Sequence, residues 1–247
     1  MIPSPSAPPA LALIVCDVFE QELALVTAGA SHIVEQSVVE MGLHDRPDLM
    51  REVLQKIITA WESRTDIEAI ALVYGLCGCG TTTLHSARHR LVIPRAHDCR
   101  AVLLGSRERF DQRQAACPGC YYYTPGWNRA RRVPGPERDD MLRVDFAKKF
   151  DPEDIEFLME SEQAMWQHYD TAAYIDHGTP GTEEEAAYTA TCAEHLGWRY
   201  ERVQGDLAWL RDLVWGRWDA DRFQLIEAGH RMVHSPDAAI MRAEPVP

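Results

Sequence analysis

The chain has 247 residues, and 38 acidic against 25 basic side chains leave it a formal net charge of −13. That balance argues against a nucleic-acid surface, which needs clustered Lys and Arg to displace phosphate counterions. No apolar run approaches the roughly 20 residues that cross a bilayer, and Met1 to Pro9 lacks the charge and apolar core of a signal peptide. A cytoplasmic protein with no membrane partner is expected, opening on a short disordered leader at residues 1–10.

Leu11 to Val15 is an apolar, buried-strand pattern that ends on Cys16. Asp17 to Val26 has helical spacing, and Ile33 to Met41 reads as a second strand. Asp45 is a plausible cap and Pro47 a first-turn residue for a helix whose face is Leu49, Val53, Leu54, Ile57, Ile58 and Trp61. Ile67 to Val73 is the next buried strand. It runs into Tyr74-Gly75-Leu76-Cys77-Gly78-Cys79-Gly80-Thr81, where the glycines force a sharp exit. One or two helical turns are expected over Thr83 to Arg90, then a strand over Leu91 to Ala96 that leads to His97-Asp98-Cys99. Cys99 to Gln114 has helical intervals, Cys117 to Cys120 is a turn, and Tyr121 to Tyr123 is a short aromatic strand.

Prolines, glycine and arginines make residues 128–138 a loop, and a long amphipathic helix divided at Asp151-Pro152 should follow to His168. The last third alternates again. Ala172 to Asp176 is a strand ending at His177, and Thr182 opens a helix with the capping-box pattern Thr182-x-x-Glu185. Arg199 to Val203 is a strand, Asp206 to Trp215 a helix, and Phe223 to Ile226 a final strand. Repeated strand–helix alternation predicts an α/β fold, with mostly parallel sheets, helices on both faces and two Rossmann-like halves. The halves are expected at residues 11–127 and 171–247, joined by a linker and long helices at 128–170.

Five of the seven cysteines fall between Cys77 and Cys120. In a reducing compartment such cysteines are metal or redox ligands rather than a disulfide framework. Any one of them could be a small buried hydrophobe. Cys16, Cys77 and Cys99, however, each follow a strand, and the ligand crevice of an open α/β sheet lies beyond the strands' carboxyl ends. They are the core metal-ligand set, and a nearby helix start would favour the thiolates of Cys16 and Cys99. Cys79, Cys117 and Cys120 form a second tier of ligand candidates, and Cys117-x-x-Cys120 could equally be a redox dithiol. Gly78, Gly80 and Thr81 are candidates for cradling an anionic cofactor, although the Walker lysine and the dinucleotide glycine pattern are absent. His97 and His177 are the candidate proton-transfer residues.

Cys16 behind the first strand, Tyr74-Gly75-x-Cys77-Gly78-x-Gly80, His97-x-Cys99 and Pro118-Gly119-x-Tyr121-Tyr122-x-Thr124 together resemble the bacterial and archaeal family catalogued as domain of unknown function 1638. The resemblance spans roughly residues 11–230. It implies, by genomic association, small-metabolite or one-carbon metabolism and corrinoid methyl-transfer proteins as partners. Cys79 and Cys120 depart from the commoner pattern of that family. The site itself resembles two others: the three-thiolate [4Fe–4S] site of quinolinate-synthase-like enzymes, with one open iron, and, through His97-x-Cys99 with a distant cysteine, the site of zinc methyltransferases that activate a thiol.

The resulting expectation is an enzyme in which Cys16, Cys77 and Cys99 hold a [4Fe–4S] cluster for lyase or desulfurisation chemistry on a small polar substrate. Zn²⁺ held by His97 and cysteines, for methyl or thiol transfer or hydrolysis, is the alternative cofactor. A non-catalytic accessory role in methyl transfer is the third reading, and a homo-oligomer is open.

Overall fold

The computed structural model describes residues 7–247. In chain order it begins β1 (Leu11–Cys16), α1 (Glu20–Thr27), β2 (Ile33–Val39), α2 (Pro47–Trp61), β3 (Ala69–Val73), β4 (Arg90–Pro94) and α3 (Cys99–Leu104). There follow α4 (Arg107–Ala116), β5 (Cys120–Tyr123), α5 (Pro125–Asn128), α6 (Pro136–Ala147), α7 (Pro152–Ala164), β6 (Thr171–Asp176), α8 (Thr182–Leu196) and β7 (Arg199–Gln204). The chain closes with α9 (Ala208–Val214), β8 (Phe223–Ile226), β9 (His230–His234) and β10 (Met241–Pro245). It is a mixed α/β protein with mostly parallel sheets and helices packed around them. No helix among the described residues is long and apolar enough to cross a membrane.

The expected halves are redrawn. Two compact units form among the described residues, 7–107 with 206–247, and 108–205. The reason is β8: it pairs antiparallel with β4, from Leu91 against Ile226 to Pro94 against Phe223, so the last segment completes the first sheet instead of a second half. Of the expected leader at residues 1–10, the first six lie outside the described residues. Its last residue is anchored, because the Ala10 carbonyl accepts the N–H groups of Glu68 and Ala69.

In the first unit the strand order is β2-β1-β3-β4-β8. β1 is fully buried along its length and pairs in parallel with both β2 and β3. This unbroken apolar character is what burial on both faces of a sheet demands. Because β2 and β3 lie on opposite sides of β1, the topological switch point falls between β1 and β3, where open α/β sheets place their ligands. α2 buries Met50, Leu54 and Ile58, a stripe rotated from the one expected.

Thr83 to Arg90 is not helical. The Thr83 N–H donates to Met232 O, the Met232 N–H donates to Leu84 O, and His85 bridges Arg231, so strand-like pairing with β9 takes up the backbone there. In the second unit, β5-β6-β7 form a parallel sheet packed by α8. Its core gathers Tyr123, Val133, Tyr174, Ala186 and Cys192. The expected capping box is absent. Gly181 is the residue before the helix, and the Thr182 hydroxyl bonds Asp176 Oδ1 at 2.8 Å instead. As expected, the long helical segment breaks at Asp151-Pro152.

Candidate metal centre

Cys16, Cys77 and Cys99 all belong to the first unit, on the connections that leave β1, β3 and β4. Those three strands are consecutive in the sheet. The outer two are therefore roughly 10 Å apart, and their connections must lean inward to share a ligand. Two hydrogen bonds draw the exits of β3 and β4 together: Leu76 N–H to Ala96 O at 2.8 Å and Cys77 N–H to His97 O at 2.9 Å. Gly75 permits the approach. A Cβ there would lie 2.8 Å from both Cα and N of Asp98 and 2.9 Å from Ala96 O.

Cys77, Gly78 and Cys79 then take three successive left-handed conformations, with φ of 46°, 63° and 67°. Two of these residues carry a Cβ, an arrangement that costs on the order of 1–2 kcal/mol each and persists only where the surroundings impose it. Arg51 of α2 braces the turn through Cys79 O at 3.1 Å and Thr82 O at 3.0 Å. Cys99 is the first residue of α3, where Asp98 caps the helix by accepting the Arg100 N–H at 2.9 Å.

The thiols interact electrostatically with one another, and all are pushed toward the neutral form. Burial drives Cys16 up to about 12, against the Val18 amide, with Cys77 and Asp17 adding to the rise. Cys77 also rises to about 12 through burial, opposed by the amides of Gly75 and Cys99 and reinforced by Asp98. Burial lifts Cys99 well above its ordinary value, helped by Cys77, Asp98 and Cys16. The expected thiolates at helix starts are thus corrected: desolvation outweighs the short turns that follow Cys16 and Cys99. A metal binding here would have to displace a proton from each sulfur.

Tyr74 emerges from the structure rather than from the sequence. Its hydroxyl is buried without a hydrogen-bond partner, and it interacts electrostatically with Cys16, Cys77, Asp17 and Cys99. Burial holds the phenol far above its ordinary range, so it stays a neutral donor. An orphaned buried hydroxyl beside three sulfurs is what a site shaped for an added group leaves behind.

The other candidates separate from this cluster. The anion-cradle reading is corrected for Gly80 and Thr81, but not for Gly78. The N–H groups of Gly80, Thr81, Thr82 and Thr83 all donate to backbone carbonyls, and the Thr81 hydroxyl points back to Gly75 O and Leu76 O. Gly80 is there to admit Met50, whose Cε a Cβ would meet at 2.1 Å. His97 is exposed on the rim, two residues from Cys99. His177 belongs to the second unit, its ring seated on Gly205. Cys117 and Cys120 belong there too and are joined as a disulfide, which sets aside their reading as second-tier metal ligands and leaves the redox-dithiol one. Cys192 is a core residue pressed against Gly135.

A model of the family described as protein of unknown function DUF1638 matches residues 38–214, well over half of the chain. The chain belongs to that family. The DUF1638 match takes in Cys77, Cys79, Cys99, Cys117 and Cys120 but begins after β1, so Cys16 lies outside it and the shared stretch is shorter than the resemblance suggested. No curated protein and no solved structure matches significantly.

Proposed function

We propose that Cys16, Cys77 and Cys99 hold a [4Fe–4S] cluster with one open iron, and that this cytosolic enzyme uses it for non-redox lyase or desulfurisation chemistry on a small polar metabolite. The supporting observation is the gathering of three thiols around the unpartnered Tyr74 hydroxyl, beside the switch point of the sheet.

Spacing counts against a ready-formed site for a single ion. Among the described residues, the group of three candidate ligands with all atoms within 4.8 Å is Cys117, Cys120 and Glu201; the three site cysteines are not such a group, so at least one pair of their sulfurs is farther apart. Thiolates bound to one zinc at about 2.3 Å would sit about 3.8 Å from each other in a tetrahedral site. A larger group held by all three thiolates would not need them that close. When bound, such a cluster supplies a Lewis-acidic position for a substrate oxygen or sulfur.

The chain's own residues supply the remainder. Tyr74 donates a hydrogen bond without ionising. Asp98, fixed by Arg100 at 2.5 Å, and Asp17, which accepts the Met41 N–H at 2.8 Å, make the surroundings acidic. His97 on the exposed rim is the side chain suited to passing a proton between the site and solvent.

Anaerobic purification followed by iron, sulfide and zinc analysis tests this reading. About four iron and four sulfide per chain are expected. Cys16→Ala, Cys77→Ala and Cys99→Ala should each lose them, while Cys79→Ala and Cys192→Ala keep them. One zinc per chain, or iron retained in Cys77→Ala, would sink it.

A further inference from the structure

The second unit carries a pair of sulfurs that the proposed centre does not use. Cys117 directly follows the C-terminus of α4, Cys120 opens β5, and the two are disulfide-bonded. The pair therefore stands at the amino end of the strands, across the sheet from the carboxyl-end residues Asp176 and His177. Arg113, one turn back on α4, donates from Nη2 to Cys120 Sγ at 3.6 Å. That guanidinium is held by both oxygens of Glu201 on β7, at 2.7 and 2.8 Å. Exposure separates the two residues further: both are buried, Cys117 at 8% exposed and Cys120 at 2%.

We propose that Cys117 and Cys120 form a reversible thiol–disulfide exchange centre, in which Cys117 is the sulfur attacked by small external thiols and Cys120 is the leaving and resolving sulfur, held by Arg113. An external thiolate attacks Cys117 Sγ, a new sulfur–sulfur bond forms to Cys117, and the Cys117–Cys120 bond breaks. Its electron pair departs on Cys120 Sγ, where the Arg113 N–H receives it. A second external thiolate then attacks the external sulfur of this mixed disulfide and frees Cys117, which takes up a proton. The sum is disulfide plus two thiols giving dithiol plus an external disulfide, a two-electron exchange that runs backwards when the external pool is oxidised.

Two features set the direction of attack. The better leaving group is the sulfur whose negative charge is stabilised, and the guanidinium touches Cys120. Cys117, at the negative end of α4, lacks that help but is the more exposed residue of the two. Glu201 acts as a positioning residue, fixing the fork of Arg113. Asp170 also borders the turn, its carboxylate packed on Gly119 and 3.6 Å from Arg199.

The test equilibrates the full chain in mixtures of reduced and oxidised glutathione, followed by acid quenching, alkylation and mass analysis of the peptide carrying both cysteines. Wild type should interconvert reversibly between disulfide and dithiol. In Cys120→Ser, Cys117 should form a glutathione mixed disulfide at least about tenfold faster than Cys120 does in Cys117→Ser. Arg113→Gln should slow reduction by dithiothreitol about tenfold and shift the midpoint toward the disulfide, with Arg113→Lys recovering most of both. Equal reactivity of the two single-cysteine variants overturns the assignment, even if the Arg113 variants fail to fold. So does a pair that stays oxidised in dithiothreitol until the protein unfolds, or one isolated as a zinc dithiolate with no disulfide.

Discussion

Whether three sulfurs can share one group comes down to a hydrogen atom at Gly75. The atoms that its Cβ would strike belong to the backbone of Asp98 and Ala96, so no side-chain rotation can relieve the clash. Gly75→Ala must push apart the exits of β3 and β4, at a cost of about 1–3 kcal/mol typical of overpacking. Gly78 provides the control. Its φ of +63° makes Gly78→Ala strained by about 1–2 kcal/mol, yet nothing lies within 4 Å of the added carbon. Both variants should lose a few degrees of thermal stability, but only Gly75→Ala should lose metal. Equal metal content in the two would show that the close approach of these segments does not build the site. The cysteines and glycines of this turn could be picked out from residue type and spacing alone. Tyr74 could not, because an orphaned hydroxyl is a property of its surroundings and not of any local pattern.

Element boundaries record the same division between local and remote causes. Buried parallel strands such as β1 and β3 announce themselves through unbroken apolar runs, and α7 through the proline that starts it. Thr83 to Arg90 misled because its conformation is dictated by β9, far along the chain. The capping-box pattern failed for a tertiary reason too. Glu185 is drawn to Arg131, at 2.9 and 3.1 Å, and Thr182 to Asp176. Asp176 thereby ties β6 to α8 and β7, accepting from Gly178 N–H, Thr182 Oγ1 and Arg202.

Burial opposes ionisation of Asp176, but those donors outweigh it and hold its carboxyl below the ordinary value. A depressed folded-state pKa contributes stability above the unfolded value of about 3.9 and loses it as pH falls through the folded one. Asp176→Asn should therefore be less stable than wild type by about 1.5–3 kcal/mol at pH 6, with the gap narrower at pH 3. Urea unfolding of both proteins at the two pH values measures it. A gap independent of pH would mean that the carboxylate's charge plays no part in joining these elements.

At the scale of the whole molecule, strand–helix alternation suggested two sequential halves, and the chain instead interrupts one unit with another. Alternation reports which elements form, but not that β8 returns to β4 across more than a hundred residues, since strand partners carry no local signal. The interruption is made where the chain exits and re-enters side by side. Gly105, at φ +96°, ends α3 in contact with Asp206, whose N–H donates to Leu103 O at 3.3 Å. Residues 108–205 can therefore be replaced by a Gly/Ser link of about four residues, with little loop-closure cost. The shortened protein keeps β1 to β4, α9 and β8 to β10, with Cys16, Cys77 and Cys99, and lacks Cys117, Cys120 and His177. It should unfold cooperatively in denaturant and bind the same iron and sulfide per chain as the full protein. A folded product without metal would mean that the second unit supplies a ligand, and an unfolded one that the first unit cannot stand alone.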